Sequence, residues 1–134
     1  SSIHAVWSYP KGRQVRPSDV VSPGDLYGVS KCFGEAMGRY AATMHGLSCI
    51  AIRIGAFQPA EKLPERSRSD SPNILISHRD MSQLICCCID NEDLLFAVAN
   101  GVSDHHSSRL SLIETTELLG YKPQDGTRAG PSDG

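Results

Sequence analysis

The sequence predicts an α/β fold built around a parallel sheet. A long amphipathic stretch over residues 26–45 is followed at once by a run rich in β-branched residues over 47–54. A second strand candidate, 94–99, comes after another helical stretch. Alternation of helices and strands favours parallel pairing, because parallel neighbours need a crossover long enough to hold a helix. With 134 residues, 40% of them apolar, the chain can bury one modest core.

The first helix is predicted between two boundary signals. Residues 10–24 contain several prolines and glycines and form a loop. Asp25 is the predicted N-cap, and Gly46 is the predicted stop after the last turn. Between them apolar side chains recur at steps of three and four, which predicts a helix of about five turns. These apolar positions are Leu26, Val29, Phe33, Met37, Tyr40, Ala41 and Met44.

The strand that follows, 47–54, is predicted to be buried and to end at Gly55. Residues 56–73 are polar and hold three prolines, which predicts a long loop of the kind that often carries function. A short extended piece over 74–76 follows this loop.

The second half of the chain contains two further helices. Ser77 and Asp80 resemble a capping box in front of a helix over 81–90. A short helix over 111–119 ends at a glycine, and the glycine- and serine-rich residues beyond it are typical of a frayed end.

Composition excludes several classes of protein. The net charge of −2 and the pI of about 6.2 give no basic surface for nucleic acid. The longest apolar runs, 84–89 and 94–99, are far too short to cross a membrane. Five cysteines without spaced pairs argue against a secreted disulfide framework, so we expect a cytoplasmic protein. Three of them, 86–88, are consecutive and cannot converge on one ion, and we predict no metal site.

Tyr27 and Lys31 lie four residues apart in the first turns of the long helix, which places both side chains on one face. A phenol is a weak base at neutral pH, but a neighbouring ammonium and a helix N-terminus both favour the phenolate. The pair can therefore act as a general base or acid towards an alcohol. A hydroxyl such as that of Ser2 would hold the substrate oxygen. The other interpretation is a surface tyrosine beside a solvated lysine.

Three stretches form a recognisable pattern: Ser1-Ser2-x-His4, Pro23-x-x-x-Tyr27-Gly28-x-Ser30-Lys31-x-x-Gly34-Glu35 and Arg53-Ile54-Gly55. The pattern resembles the extended short-chain dehydrogenase/reductase family, the NAD-dependent epimerase/dehydratase group, and within it the uronate dehydrogenases. The resemblance runs to about residue 123. It implies a Rossmann-like doubly wound parallel sheet, of which this chain holds the C-terminal portion, together with a small substrate-binding portion.

The resemblance implies a catalytic triad of Ser2, Tyr27 and Lys31. Tyr27 would take the proton from a hydroxyl of a sugar or sugar acid, and Ser2 would bind that hydroxyl. Lys31 would stabilise the phenolate and hydrogen-bond the nicotinamide ribose. The hydride would pass to NAD, with NADP also open. The implied reaction is the NAD-dependent oxidation of an alcohol.

Further binding residues follow from the same resemblance. Ile54 and Gly55, at the carboxyl end of the strand, would lie at the nicotinamide, where ligands bind in open α/β sheets. Ala56 and His4 would contact the substrate. An arginine in the loop after the strand would hold a substrate carboxylate by a bidentate contact. Arg66 and Arg68 are the two candidates for this arginine.

The implied organisation divides the chain into three parts. Residues 1–58 would be the last part of the NAD-binding domain, residues 59–123 the substrate-binding portion, and residues 124–134 a flexible tail. The glycine-rich turn that cradles the cofactor phosphates does not occur in this sequence. We therefore expect this portion alone to be inactive, and the full-length protein to be a homodimer joined through the long helix.

Two alternatives to a sugar dehydrogenase stay open at this point. One is a nucleotide-sugar epimerase or dehydratase. The other is a non-catalytic interaction module that lacks the glycine-rich cofactor loop.

Overall fold

The computed structural model describes residues 1–59, 73–105 and 108–126. After a short 3₁₀ helix, Ile3–Val6, the elements in chain order are α1 (Leu26–His45), β1 (Cys49–Ile54), β2 (Ala56–Gln58), β3 (Leu75–Ser77), α2 (His78–Asp90), β4 (Phe96–Gly101) and α3 (Ile113–Leu119).

The described strands pair in parallel, as the alternation of helices and strands predicts. β1 pairs with β4 from Cys49 opposite Phe96 to Ile54 opposite Gly101. β2 pairs with β3 from Ala56 opposite Leu75. The sheet of β1 and β4 joins residues from both sides of the predicted division at residue 58. On its other edge β1 has a single described bridge, which links Ile54 to Ser2.

Strand β2 replaces the beginning of the loop predicted over 56–73. The backbone N–H of Ala56 donates to the carbonyl of Ile74, 2.7 Å away. Gly55 makes this approach possible, because a Cβ at this position would overlap the same carbonyl. The pairing joins segments far apart in the chain, so the local polar composition gave no sign of it.

Helix α1 begins and ends where its caps predict. The Asp25 carboxylate accepts from the backbone N–H of Gly28 at 2.6 Å, and Gly46 adopts the left-handed conformation at φ 66°. Its orientation is less expected, because the buried positions are Gly28, Glu35 and Ala42. The apolar stripe of α1 lies on the opposite face and is exposed; it consists of Leu26, Val29, Phe33, Met37, Tyr40 and Met44.

Two buried clusters form the core. One joins the 3₁₀ helix to the segment after β4 and consists of Ile3, Val6, Val15, Val102 and Leu110. The other lies between the strands and helices α2 and α3 and consists of Ile76, Leu84, Ala99, Leu119 and Tyr121. β1 is covered less completely than predicted, since most of its residues are only partly buried.

The start of α2 is fastened to residues near the end of the described chain. The helix begins at His78, three residues before the predicted position, and the Ser77 hydroxyl caps the backbone N–H of Asp80. Asp80 is completely buried and accepts from the Ser103 hydroxyl and from the backbone N–H groups of Gln124 and Asp125. The first two residues of the predicted flexible tail are therefore held by an internal carboxylate.

Among the described helices, none combines the length and apolar character needed to cross a lipid bilayer.

Candidate active site

The predicted proton-transfer pair lies at the start of α1. Tyr27 and Lys31 follow the Asp25 cap on one face of the helix, and the Lys31 ammonium nitrogen lies 5.1 Å from the centre of the Tyr27 ring. Tyr27 is 53% exposed, so its side chain is open to a ligand. Lys31 forms no salt bridge with any residue that the structure describes, and its charge is available to a bound molecule.

Ser2 lies in the segment that enters the 3₁₀ helix, beside the end of β1. It is buried, and its hydroxyl oxygen accepts from the backbone N–H of His4 at 3.2 Å. A hydroxyl that accepts in this way still has its own hydrogen to donate, which suits a group that binds a substrate oxygen. Within the described residues, hydrogen bonds do not join Ser2 to Tyr27 or Lys31.

His4 links the Ser2 segment to the first turn of α1. Its Nδ1 lies 2.8 Å from the Asp25 carboxylate, and its ring stacks on Trp7 with centroids 5.5 Å apart. The Tyr27 ring lies nearly perpendicular to the His4 ring, with 5.1 Å between centroids. His4 thus stands next to Tyr27, although the sequence offered no link between them beyond the family resemblance.

Gly28 brings the helix and the His4 segment into direct contact. A Cβ at position 28 would overlap the carbonyl of His4, so any other residue would push α1 away from this segment. Gly28 therefore fixes the distance between Tyr27 and the residues after Ser2.

The residues predicted to bind the cofactor lie where the chain passes from β1 to β2. Ile54 ends β1 between Ser2 and Gly101, and the backbone N–H of Gly55 donates to the Gly101 carbonyl at 2.9 Å. Ala56 begins β2 and is partly buried. A glycine is needed at position 55 for packing alone, because the carbonyl of Ile74 leaves no space for a side chain.

Arg66 and Arg68, the predicted carboxylate-binding candidates, lie outside the described residues.

A groove of about 300 Å³ lies between α1 and β1. Its lining includes Ser1, Lys31 and Gly34, and Ala51 of β1.

A buried ion pair, which was not predicted from the sequence, joins α1 to β1 beside the groove. Arg53, 2% exposed, donates from Nε and Nη2 to the two oxygens of Glu35 at 2.8 and 2.9 Å. The Ser1 hydroxyl donates to the same carboxylate at 2.7 Å. Burial acts to raise the pKa of Glu35, but the hydrogen bonds from Arg53 and Ser1 outweigh it and hold that pKa below its ordinary value.

The sequence contained one signal for this pair. Arg53 is the single charged residue in the otherwise apolar strand Cys49–Ile54, and a charge in a buried strand needs a partner. The pair ties α1 to β1 and, through Ser1, to the segment that carries Ser2.

No group of three or more His, Cys, Asp or Glu side chains in the described part of the chain could hold a metal ion. Of the three consecutive cysteines, Cys86 is exposed and its two neighbours are partly buried.

The sequence is similar to those of known dehydrogenases, although over only part of their length. No protein-family model matches the sequence. An NAD-dependent glucose-6-phosphate dehydrogenase of Haloferax volcanii is 34% identical over 139 residues, covering 95% of this chain and 52% of that protein. A uronate dehydrogenase of Agrobacterium fabrum is 32% identical over 131 residues, covering 96% of this chain and 46% of the relative. The chain thus spans about half the length of the curated relatives it matches.

The fold of the chain is also similar to those of solved structures. A uronate dehydrogenase variant from Agrobacterium tumefaciens, complexed with NAD, superposes with a TM-score of 0.79 at 29% identity, covering 96% of this chain and 46% of the other. A UDP-galactose 4-epimerase shares the fold alone, with a TM-score of 0.65 at 14% identity over 92% of this chain and 55% of the epimerase.

Proposed function

Because the chain belongs to the extended short-chain dehydrogenase/reductase family, we propose that it is the C-terminal portion of an NAD-dependent oxidoreductase that oxidises a hydroxyl of a sugar or sugar acid. The observation that carries the proposal is the pairing of Tyr27 and Lys31 on the open first turns of α1, next to His4. The similarity to enzymes named for sugar oxidation supplies the substrate class.

In this proposal Tyr27 is the general base that takes the proton of the substrate hydroxyl. The Lys31 ammonium stabilises the phenolate that starts the reaction. Ser2 donates its free hydroxyl hydrogen to the substrate oxygen and so orients the alcohol. Catalysis then depends on three groups from two segments, which Gly28 and the Glu35–Arg53 ion pair hold at a fixed distance.

The residues present fit the nicotinamide end of the cofactor. Lys31 has a charge that no described carboxylate neutralises, and it lies beside Tyr27, where its ammonium group would donate to the ribose hydroxyls. Ile54 and Gly55 would lie against the nicotinamide. NAD, when bound, supplies the hydride acceptor for the oxidation. The phosphate groups would be held by residues outside this sequence, which has no glycine-rich turn.

The substrate side of the proposal rests on His4, whose ring contacts Tyr27, and on Ala56 at the start of β2. A sugar acid would in addition need a cation for its carboxylate, and Arg66 or Arg68 would supply it. Uronates and neutral aldoses are therefore the substrates to compare first.

The exposed stripe of α1 supports a homodimer as the working form. Its six apolar side chains lie on one face over the length of the helix, and contiguous apolar surface of this kind is typical of an interface. The proposal also places the protein in the cytoplasm, where its five free cysteines would stay reduced.

The test is a Tyr27→Phe substitution in the full-length protein, with NAD reduction followed on uronates and neutral sugars. We expect turnover to fall by at least 100-fold, the usual contribution of a positioned general base. Tyr40→Phe is the control for the loss of a phenolic hydroxyl, because Tyr40 lies on the same helix, is 52% exposed, and keeps its apolar ring in the stripe after the change. A Tyr27→Phe variant that is as active as the control would exclude the general-base role.

The same assay separates the alternatives. A nucleotide-sugar epimerase would convert a UDP-sugar without net NAD reduction. A non-catalytic module would show neither reaction in the full-length protein.

A further inference from the structure

The carboxylate of Asp25, at the start of α1, has two different partners. Asp25 Oδ1 accepts from the backbone N–H of Gly28 at 2.6 Å, and Asp25 Oδ2 lies 2.8 Å from Nδ1 of His4. One side chain therefore caps the helix that carries Tyr27 and also holds the imidazole next to Tyr27.

The chemistry of this contact fixes the proton on the His4 ring. The N–H of Gly28, and then His4 itself, hold the pKa of Asp25 below its ordinary value, so the carboxyl is ionised at neutral pH. An ionised carboxylate only accepts hydrogen bonds, so Nδ1 of His4 must carry the hydrogen. In a neutral imidazole the other nitrogen, Nε2, is then a pure acceptor.

The remaining contacts of His4 leave that acceptor available. Trp7 stacks on one side of the ring, and the Tyr27 ring lies nearly perpendicular to it. In the described part of the chain, Nε2 of His4 takes part in no hydrogen bond. The backbone of His4 is fixed as well, by the contact of its carbonyl with Gly28.

We propose that Asp25 is a positioning residue that holds His4 in the Nδ1–H tautomer, so that Nε2 accepts a hydrogen bond from a hydroxyl of the substrate beside Tyr27. The proposal rests on the proposed function for the identity of the ligand, an alcohol. The state of the His4 ring is a property of the free protein and can be measured without any substrate.

Two substitutions separate this role from helix capping. Asp25→Asn and Asp25→Ser both keep a good N-cap, because asparagine and serine cap helices about as well as aspartate. Asparagine no longer offers His4 a carboxylate, and serine is too short to span the same distance. Both variants are therefore expected to fold with α1 intact, as circular dichroism will show.

The first readout is the tautomer of His4, from ¹⁵N chemical shifts of the histidine ring in the full-length protein, with His4→Gln to assign the signal. We expect the Nδ1–H form in the wild type and a shift towards the Nε2–H form in both variants. A His4 ring that keeps the Nδ1–H form in both variants, or that is in the Nε2–H form in the wild type, overturns the proposal.

The second readout is kinetic. We expect kcat/KM to fall about tenfold in each variant, as for the loss of one hydrogen bond to the reacting complex. In the His4→Ala background, Asp25→Asn should have no further effect, because Asp25 acts through His4. Independent, additive losses would overturn the positioning role. If the wild type oxidises no sugar, the proposed function fails, and the ¹⁵N result still decides the state of His4.

Discussion

Removal of the Glu35 charge tests how far the buried ion pair supports this half of the molecule. Glu35 is 7% exposed and receives three hydrogen bonds, two from Arg53 and one from Ser1. A Glu35→Gln substitution keeps the volume but turns an N–H group towards a guanidinium that can only donate. Arg53 then remains buried as an uncompensated charge.

The expected loss is about 3 kcal/mol of unfolding free energy, the lower end of the range for breaking a buried pair from one side. At a denaturant dependence of about 2 kcal/mol/M, the urea midpoint falls by about 1.5 M. Glu117→Gln is the matched control, because the same chemical change on an exposed side chain should cost less than about 0.5 kcal/mol.

The pH dependence gives a second, independent check. The folded protein holds the pKa of Glu35 below its ordinary value of 4.5. Above pH 4.5 the carboxylate is ionised in both states and its stabilisation is complete. As the pH falls from 4.5 through the lower folded-state pKa, the unfolded chain binds a proton first and the stabilisation is lost. Glu35→Gln removes this part of the acid limb.

The assay is urea unfolding of the full-length protein at pH 7 and at steps down to pH 3, for wild type, Glu35→Gln and Glu117→Gln. Wild-type stability in the Glu35 variant at pH 7, together with an unchanged acid limb, would refute the reasoning. In that case the carboxylate would not be needed to compensate the charge of Arg53.

Two further predictions concern the 134-residue chain on its own. It should self-associate or unfold readily, because one edge of β1 has only the single described bridge to Ser2 and the apolar stripe of α1 is exposed. Size-exclusion chromatography and thermal melting will check this, and a monomer with one sharp cooperative melt would contradict it. It should also have negligible affinity for NAD, since the sequence has no phosphate-binding turn; micromolar binding in a calorimetric titration would show that the nicotinamide end alone is sufficient.

Local signals were enough to predict the boundaries of α1. Asp25 and Gly46 act within one turn of the helix, so their effect can be read from neighbouring residues. Which face of α1 is buried could not be predicted in the same way. Periodicity tells which side chains share a face, but not what covers it. In this structure the buried residues of α1 are Gly28, Glu35 and Ala42, and the apolar stripe is exposed.

The candidate site was predictable to a similar degree. The spacing of Tyr27 and Lys31 predicts a common face, because four residues make about one helical turn. The contact of Asp25 with His4 spans 21 residues, and the pairing of Arg53 with Glu35 spans 18. Such contacts depend on how segments pack, and residue type alone does not specify the partner.

The buried carboxylate of Asp80 has a consequence for how the chain acquires its structure during synthesis. Two of its partners, the amides of Gln124 and Asp125, lie 44 and 45 positions further along the chain. When α2 leaves the ribosome, the Asp80 carboxylate in its first turn stays solvated until residues 124 and 125 have been synthesised. The second helix is thus completed by a late event, in which distant residues dock onto an end that was formed much earlier.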